Sequence, residues 1–564
     1  MSVWRINRTY RNLQRMQTIL NVLLKHGFGQ LIRKLGLQQF LPLGKQASAL
    51  SQDDTVSPLD PMTIPERLRM VLEELGPTFV KFGQLLSTRP DIVPDYLIQE
   101  LKHLREDVRP VPFPAIQKVV EESLGLPLKE VFKEFSETPI ASASIGQVHS
   151  GVLLTDEEVV VKVQRPGIES VVKNDLSILQ SLASILAGRV EEMAQFDPEG
   201  LVREFERTIL REMDFNVEAL NMQRFQDNLA SEKGMIIPGV YWDYCSKEVI
   251  TMQKIKGVRM ESAESLAEAG HNPQKMAVEG MRVFLRQVLE FGLFHADPHP
   301  GTVIAMEDGR IGLIDFGMVG RLDPGMTDYL GTLILSIIQR NYDKMMVSLR
   351  NLGFEFDDLS ARDLRRELIE IIDLYYGRQL KNIGIGELLA KIVETVMMYK
   401  VQIPGGFLTL TRAMMISEGV GRQLYPEIDI IQISRPMIAR IVKRQHDPAR
   451  ILNEITTVAG DLRHTAKTLP RYIETFFQRL LKGKLRIEFS HTNLEGFYRE
   501  IEKTGNRLSF SIVVAALILG SSIIMYSKIG PFIFGYPAIG VVGYVIAALM
   551  GIWLLINIIR SGRV

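Results

Sequence analysis

Between Leu508 and Ser527 the chain carries no charged side chain, and between Ile529 and Ile559 again none. A spanning helix needs about 20 apolar residues to cross about 30 Å of hydrocarbon. The first run, LSFSIVVAALILGSSIIMYS, just reaches that length; the second has Pro531 and Pro537 early, so its helix is expected from about Ala538 onward. Lys503 and Arg507 precede the pair, Lys528 sits between, and Arg560 and Arg563 follow. Positive residues are retained on the cytoplasmic side, so this distribution predicts a hairpin with both ends cytoplasmic. The alternative is a pair of buried core helices, although runs this bare at a chain end seldom pack inside a soluble domain. Two helices cannot readily enclose a polar path, so transport is not expected.

The remaining length is that of a multidomain protein. At about 150 residues per domain, 564 residues allow three to four modules. Lysine plus arginine number 66, as do aspartate plus glutamate. This balance removes the electrostatic basis for a nucleic-acid partner. Cys245 is the single cysteine, which excludes both a disulfide framework and a cage of cysteine ligands.

Met1–Gly36 has no secretory pattern. Arg5, Arg8, Arg11, Arg15, Lys25, Arg33 and Lys34 alternate with Leu13, Met16, Ile19, Leu20, Leu23 and Leu24. Such a helix suits either an anionic surface or the side of a folded domain. Gln46–Pro61 reads as a linker. Helical periodicity runs from about Pro65 to Leu104, broken at Pro90 and Pro94. From about Phe132 to Lys256, β-rich runs (EEVVVKVQ, EVITMQKI) flank one long helical pattern. After about Ala277 the chain is mostly helical to Arg479, with a short strand pair around Gly309–Ile314. A β-rich lobe followed by a helical lobe is an α+β arrangement.

Lys162 closes the alternating run EEVVVKVQ and shares a strand face with Val160. An unpaired ammonium there is costly, so it needs a carboxylate. Asp197-Pro198 starts a helix whose apolar stripe is Leu201, Val202, Phe205, Ile209, Met213 and Leu220. Glu206 falls inside the stripe, Glu204 outside and Glu212 at its edge, which predicts a Lys162–Glu206 pair. The segment ASASIGQVH, from Ala141 to His149, lies just before the lysine strand. Phosphate-cradling turns use glycine to bring backbone amides close; here only Gly146 is glycine, with Ala141 and Ala143 beside it. Downstream, HADPHPGT contains His295, Asp297 and His299, and 18 residues after Asp297 comes Asp315 in LIDFG. One aspartate beside a transferred phosphoryl and another holding magnesium are what phosphoryl transfer needs. The rival is zinc on His295 and His299, but Pro298 and Pro300 interrupt any helix that would align them, and no third ligand is obvious.

In the order Lys162, Glu206, Asp297, Asp315, these elements resemble the UbiB/AarF family of atypical protein-kinase-like ATPases, over roughly Pro65 to Leu480. VKFGQLLSTRPD, with Lys81, Gly83 and Gln84, matches the family's KxGQ element, which the resemblance places across the cleft where a protein substrate would otherwise dock. Ala141 to Gly146 match its alanine-rich replacement of the glycine loop. Glu212 and Asp214 match its ExD element, implied to hold the KxGQ helix, and Glu218 and Asn221 complete the EAxN continuation. Met252 falls at the implied hinge, where backbone would meet an adenine edge. One position departs: the family's HxDxHPGN loop ends in asparagine, where this chain has Thr302, a shorter and poorer neutral metal ligand.

The resemblance implies a bilobal kinase-like fold with an N-terminal helical extension and a C-terminal membrane hairpin. The expected boundaries are 1–60 for the N-terminal helix and linker, 61–130 for the extension, 131–256 for the N-lobe, 257–490 for the C-lobe and 491–564 for the hairpin. It further implies ATP with Mg2+ or Mn2+ as cofactors. Lys162 would orient phosphates, Asp315 and Thr302 would face metal, and Asp297 would be the base or water-positioning group. The expected location is the cell (inner) membrane with the catalytic domain cytoplasmic, and the expected partners are a membrane lipid or quinone precursor and quinone-biosynthesis enzymes. The competing expectation is a non-catalytic nucleotide-sensing pseudokinase scaffold.

Overall fold

The structure is a computed structural model describing residues 3–41, 62–87, 89, 92–104, 108–190, 197–356, 358–376, 384–399, 401, 403–445, 494–527, 531–533 and 536–560. The linker Gln46–Pro61, Lys528, Arg563 and the stretch 446–493 lie outside the described residues. The chain divides into two compact units, Met1–Asn453 and Glu454–Val564.

In the first unit, five strands form the small lobe: β1 (Phe132–Phe135), β2 (Ala141–Ser142), β3 (Gly146–Leu153), β4 (Glu158–Gln164) and β6 (Val249–Gln253), ordered β1-β3-β4-β6 with β2 on β3. Alternation does the sorting. Val159, Val161 and Val163 of β4 are fully buried against Ile116 and Val120 of helix Phe113–Leu124. Val160 and Lys162 face the other way, toward the large lobe. There the short strands β5 (Met235–Ile236), β7 (Val258–Arg259), β9 (Val303–Ala305) and β10 (Ile311–Leu313) form one sheet, and β8 (Leu293–His295) pairs with β11 (Val319–Arg321). The expected strand pair is the β9–β10 hairpin. Helices from Pro273 to Gln445 build the rest around a core that includes Phe284, Phe294, Phe354 and Phe407.

The extension has its own core. Helix Ile64–Leu75 begins with a capping box between Thr63 and Glu66. It ends at Gly76, whose φ of 98° lets the chain turn at once into helix Pro77–Leu86. Gly83 sits where a methyl group would collide with Leu72 and Leu104, so its absence of a side chain is what lets this helix close on its neighbours. Met16, Ile19, Leu20 and Val22 of the N-terminal helix join the same core. Of the two readings of that helix, packing on the domain is therefore what its described part, Leu13 onward, does. Arg15 anchors it: Nε donates to Asp175 Oδ1 at 2.7 Å and Nη2 to Leu75 O at 2.6 Å.

In the second unit, helices Leu494–Ser527 and Ala538–Arg560 pack on each other. Gly543 lies against Ser521, and the Ser522 and Tyr544 hydroxyls are 2.5 Å apart. Gly505–Ser527 and Ala538–Leu555 are long and apolar enough to cross a membrane. Their outer faces, including Leu508, Leu519, Ile523, Leu549 and Leu555, are exposed. A soluble core helix would bury these, and exposed apolar area on this scale calls for cover from outside.

Asp175 is only 1% exposed, so removing its partner strands a buried carboxylate. Arg15→Ala should cost about 2–3 kcal/mol in denaturant unfolding, somewhat below a fully buried pair because Arg15 is partly exposed. Unchanged stability would mean that the N-terminal helix is not docked through this pair.

Candidate active site

Lys162 Nζ donates to Glu218 Oε1 and Oε2 at 3.0 and 2.8 Å and lies 5.3 Å from the centre of the Phe215 ring. The expected Lys162–Glu206 pair is not formed. Glu206, half-exposed, accepts from Gln180 at 2.8 Å. The reason is a helix break. Helix Pro198–Glu212 ends at Met213, and Asp214 caps a new helix, Phe215–Leu229, by accepting from the Asn216 N–H at 3.1 Å. The stripe that was extended to Leu220 stops at Met213; Leu220 is 47% exposed, and Val202, Phe205 and Ile209 pack into the extension's core. Periodicity restarting after an N-capping aspartate was the signal that pointed to Glu218.

Asp315 follows β10 and is held by the same arrangement. Its Oδ1 accepts from the Gly317 N–H at 2.9 Å. Burial pushes its carboxyl up, but Lys162, the Gly317 amide, His295 and Lys81 together hold it at about 2. Burial likewise opposes the Lys162 ammonium, and Glu218 and Asp315 outweigh it, raising its pKa. Phe316 is fully buried, with ring centres 4.9 Å from Phe225 and 5.7 Å from His295. Asn221 Nδ2 donates to Phe316 O at 3.2 Å. The Glu218 helix is thus fixed to the Asp-Phe-Gly turn by Asn221 and Phe225, one turn and two turns along.

Lys81, from the extension, forms a 2.5 Å ion pair with Glu212, and its charge is felt at Asp315. Asp214 takes the capping role already described, and Gln84 is half-buried on the Lys81 helix. Asp297 follows β8, where its N–H donates to His295 Nδ1 at 3.1 Å. Arg412, on helix Gly405–Leu424, reaches Asp297 Oδ1 at 3.4 Å. No motif marked Arg412; it comes from a helix 115 residues downstream, and only folding shows it. His299 Nδ1 accepts from the Gly301 N–H at 3.1 Å. One nitrogen of each histidine is therefore occupied by backbone. Among the described residues no three His, Cys, Asp or Glu side chains converge as a metal cage, which argues against the zinc alternative. Thr302 is buried, and its hydroxyl donates to His299 O at 2.9 Å, so its proton is directed into its own turn.

One further placement differs from expectation, that of Met252. Gly146 also serves strand packing: a β-carbon would lie 2.8 Å from the Val163 carbonyl of β4. Ala141 and Ala143 form the turn ahead of it, closed by Ala143 N–H to Gly146 O at 2.9 Å. Met252 lies within β6, paired with Val160, with its side chain in the core. Its backbone is committed to the sheet ladder, so the chain crosses between lobes after it, through Lys254–Gly257.

A small antiparallel lobe, a helical lobe and a lysine–glutamate pair beside a buried Asp-Phe-Gly define a protein-kinase-like molecule. Residues 103–349 match the ABC1 atypical kinase-like domain, 368–429 the UbiB helical domain and 492–560 the ABC1/UbiB kinase-like C-terminal domain. A probable protein kinase UbiB of Marinobacter nauticus is 33% identical over 428 residues, covering 74% of this chain and 78% of that one. An uncharacterised protein from the hydrogenase 1 5' region of Clostridium pasteurianum is 32% identical over 503 residues, covering 88% and 94%. The chain belongs to the ABC1/UbiB family of atypical kinase-like proteins. The solved complex of Rv3197 with erythromycin from Mycobacterium tuberculosis aligns over 63% of this chain and 90% of that one, at 24% identity and a TM-score of 0.44. That likeness is too distant to carry any detail of a site.

Glu218→Ala should cost about 2–4 kcal/mol, because it leaves a largely buried ammonium without its hydrogen-bonding carboxylate, Asp315 and Glu212 acting only through space. Glu206→Ala should cost less than about 1 kcal/mol, as expected for a half-exposed side chain. Equal losses in the two variants would contradict this pairing. Asp315, with its carboxyl below the ordinary 3.8, contributes stability that is complete above that value and lost as pH falls toward about 2. Carbon-13 NMR of labelled aspartate, assigned with Asp315→Asn, should show this carboxyl ionised throughout the range above 3.8; titration at or above that value would overturn the electrostatic geometry.

Proposed function

We propose that this chain binds ATP with a divalent cation in the cleft between the lobes, and hydrolyses it or passes its terminal phosphoryl to a small lipid-like acceptor at a membrane. The observation that carries the reading is the ion-paired Lys162 beside an ionised, half-buried Asp315. Phosphoryl transfer is catalysed mainly by positioning and charge neutralisation. Lys162, oriented by Glu218, would hold phosphate oxygens, and Asp297 would orient the attacking hydroxyl or water. The cleft sets two ammonium groups, Lys162 and Lys81, against three carboxylates, Glu218, Asp315 and Glu212. This excess of negative charge fits a divalent cation, which Asp315 would hold. Such a cation, when bound, would neutralise charge on the phosphate oxygens. Magnesium usually takes one or two carboxylates plus phosphates and waters, so the lack of an all-protein cage is compatible with it. Thr302 donates its hydroxyl proton to His299 O and keeps the lone pairs of its oxygen, through which it would face the cation directly or by way of a water.

Family membership and the exposed apolar helix pair support a role at the cell (inner) membrane with the kinase-like unit cytoplasmic. By the same likeness we assign the acceptor or partner to isoprenoid-quinone biosynthesis: a quinone precursor, a membrane lipid or an enzyme acting on them. The Arg412–Asp297 contact favours a second reading, a nucleotide-sensing scaffold, because it occupies the side chain that would otherwise orient a nucleophile.

Mg-ATP at about 100 times its dissociation constant should stabilise the protein by roughly 2.7 kcal/mol, seen as a thermal shift lost in Lys162→Ala and Asp315→Asn. Absence of any shift with magnesium or manganese nucleotides would sink the binding claim. ATP turnover by the purified protein in lipid, abolished in Asp315→Asn, decides for the enzyme; binding without turnover decides for the scaffold. Cutting the chain before Asn506 should release it from membranes, and truncated protein that stays in a salt-washed membrane pellet would show that the apolar pair is not the main anchor.

A further inference from the structure

Arg165, three residues beyond Lys162, has no part in the site described so far. Its Nε donates to Ala143 O at 2.9 Å, and its Nη2 to Ser142 Oγ at 2.8 Å, Arg109 O at 3.1 Å and Val108 O at 3.3 Å. Its own N–H donates to Ile145 O at 2.9 Å. Among the described residues, all of these partners are neutral oxygens. They belong to two segments far apart in sequence: the alanine-rich turn and the tail that leads out of the helical extension.

A second set of contacts joins the same segments. Gln147, fully buried, brackets Val111, accepting from its N–H through Oε1 and donating to its carbonyl at 3.4 Å through Nε2. The Val108 N–H donates to Ser142 O at 3.4 Å. The tail is stiff as well as stitched. Pro110 and Pro112 flank Val111, and each proline fixes its own φ and restricts the residue before it. A displacement of Val108–Val111 would therefore pass to the turn through these contacts. Beyond the β2–β3 pairing, the turn is closed by a hydrogen bond from Ala143 N–H to Gly146 O.

We infer that Arg165 is a positioning residue: it sets the height of the alanine-rich turn over the nucleotide phosphates, and it makes that height depend on the segment Val108–Val111. The inference rests on the nucleotide reading above. A guanidinium is suited to the task because its five donors lie in a rigid planar fork that reaches several oxygens at once. An ammonium carries the same charge as a point and cannot span both segments. In kinase-like clefts the corresponding loop covers all the phosphates while the strand lysine pairs the α- and β-phosphates, so the position of the turn should matter more for ATP than for ADP.

The test uses full-length protein in detergent: wild type, Arg165→Lys, Arg165→Ala and Ser142→Ala. Two quantities are read: amide hydrogen exchange at Val108, Val111 and Ala143–Gly146, and affinities for Mg-ATP and Mg-ADP. In Arg165→Lys both segments should exchange at least about tenfold faster, together. Its ATP-to-ADP affinity ratio should fall at least about threefold, with ADP affinity within about twofold of wild type. Ser142→Ala should move both readouts the same way by less. If Arg165→Ala does not fold, the lysine and Ser142 variants carry the comparison. Unchanged exchange, exchange that rises in only one segment, or an unchanged ratio in Arg165→Lys, while wild type binds ATP and Asp315→Asn does not, would overturn this inference alone. Wild-type protein that binds neither nucleotide would overturn the function proposed above and this inference with it.

Discussion

The buried ion pair between Lys162 and Glu218, closed on its third side by Asp315, is the constraint on which the site depends. A buried ammonium is tolerated only with a partner at hydrogen-bond distance. Here the two carboxylates come from a helix and from the loop after β10, while the lysine comes from β4. Three elements from both lobes must therefore sit in fixed register before any of the charges is satisfied. Phe316 and Asn221 reinforce that register, because the Phe316 ring packs on Phe225 of the Glu218 helix and Asn221 of the same helix donates to the Phe316 carbonyl. The pair is thus a structural requirement that fixes the charges of the cleft relative to one another.

The helical extension adds a second layer of control. Lys81 enters the cleft from it and is balanced by Glu212, at the end of the helix that precedes the Glu218 helix. Only Met213 and Asp214 separate the two helices. A shift of the Lys81 helix therefore acts close to the helix that orients Lys162. Gly83 makes that proximity possible, since any larger residue would lift the Lys81 helix from Leu72 and Leu104. The tail at Val108–Val111 leads from the same extension to the alanine-rich turn, so the extension touches the cleft from two sides.

Much of this was legible in one sequence because the physics is local. Two long runs without charge can be read directly, since a bilayer imposes a length and excludes charge; the structure begins the second helix at Ala538 as expected. Strand alternation placed Lys162 and Val160 on one face of β4 for the same kind of reason, because the period of two is a property of the backbone. Asp297 ahead of Asp315 could be marked as a short motif, while Lys81 and Glu212 were marked only by the family resemblance; the fold brings Lys81 and Asp315 into one cleft.

What the sequence could not decide was which residues meet across long separations. Glu206 and Glu218 are both carboxylates on helical patterns, and the choice between them turned on a two-residue break at Met213–Asp214 that reorients everything after it. Arg412 on Asp297 and Arg165 on the extension's tail join segments 115 and 56–57 residues apart, with no periodicity to announce them. The close approach of Gly146 to Val163 of the neighbouring strand was equally invisible, and Met252 looked like a hinge and proved to be inside a ladder. By itself the sequence determined element type, the apolar helix pair and the inventory of reactive side chains, because these follow from backbone period and solvation. Only the tertiary structure decided the pairings, because a buried charge chooses its partner by geometry that no single segment contains.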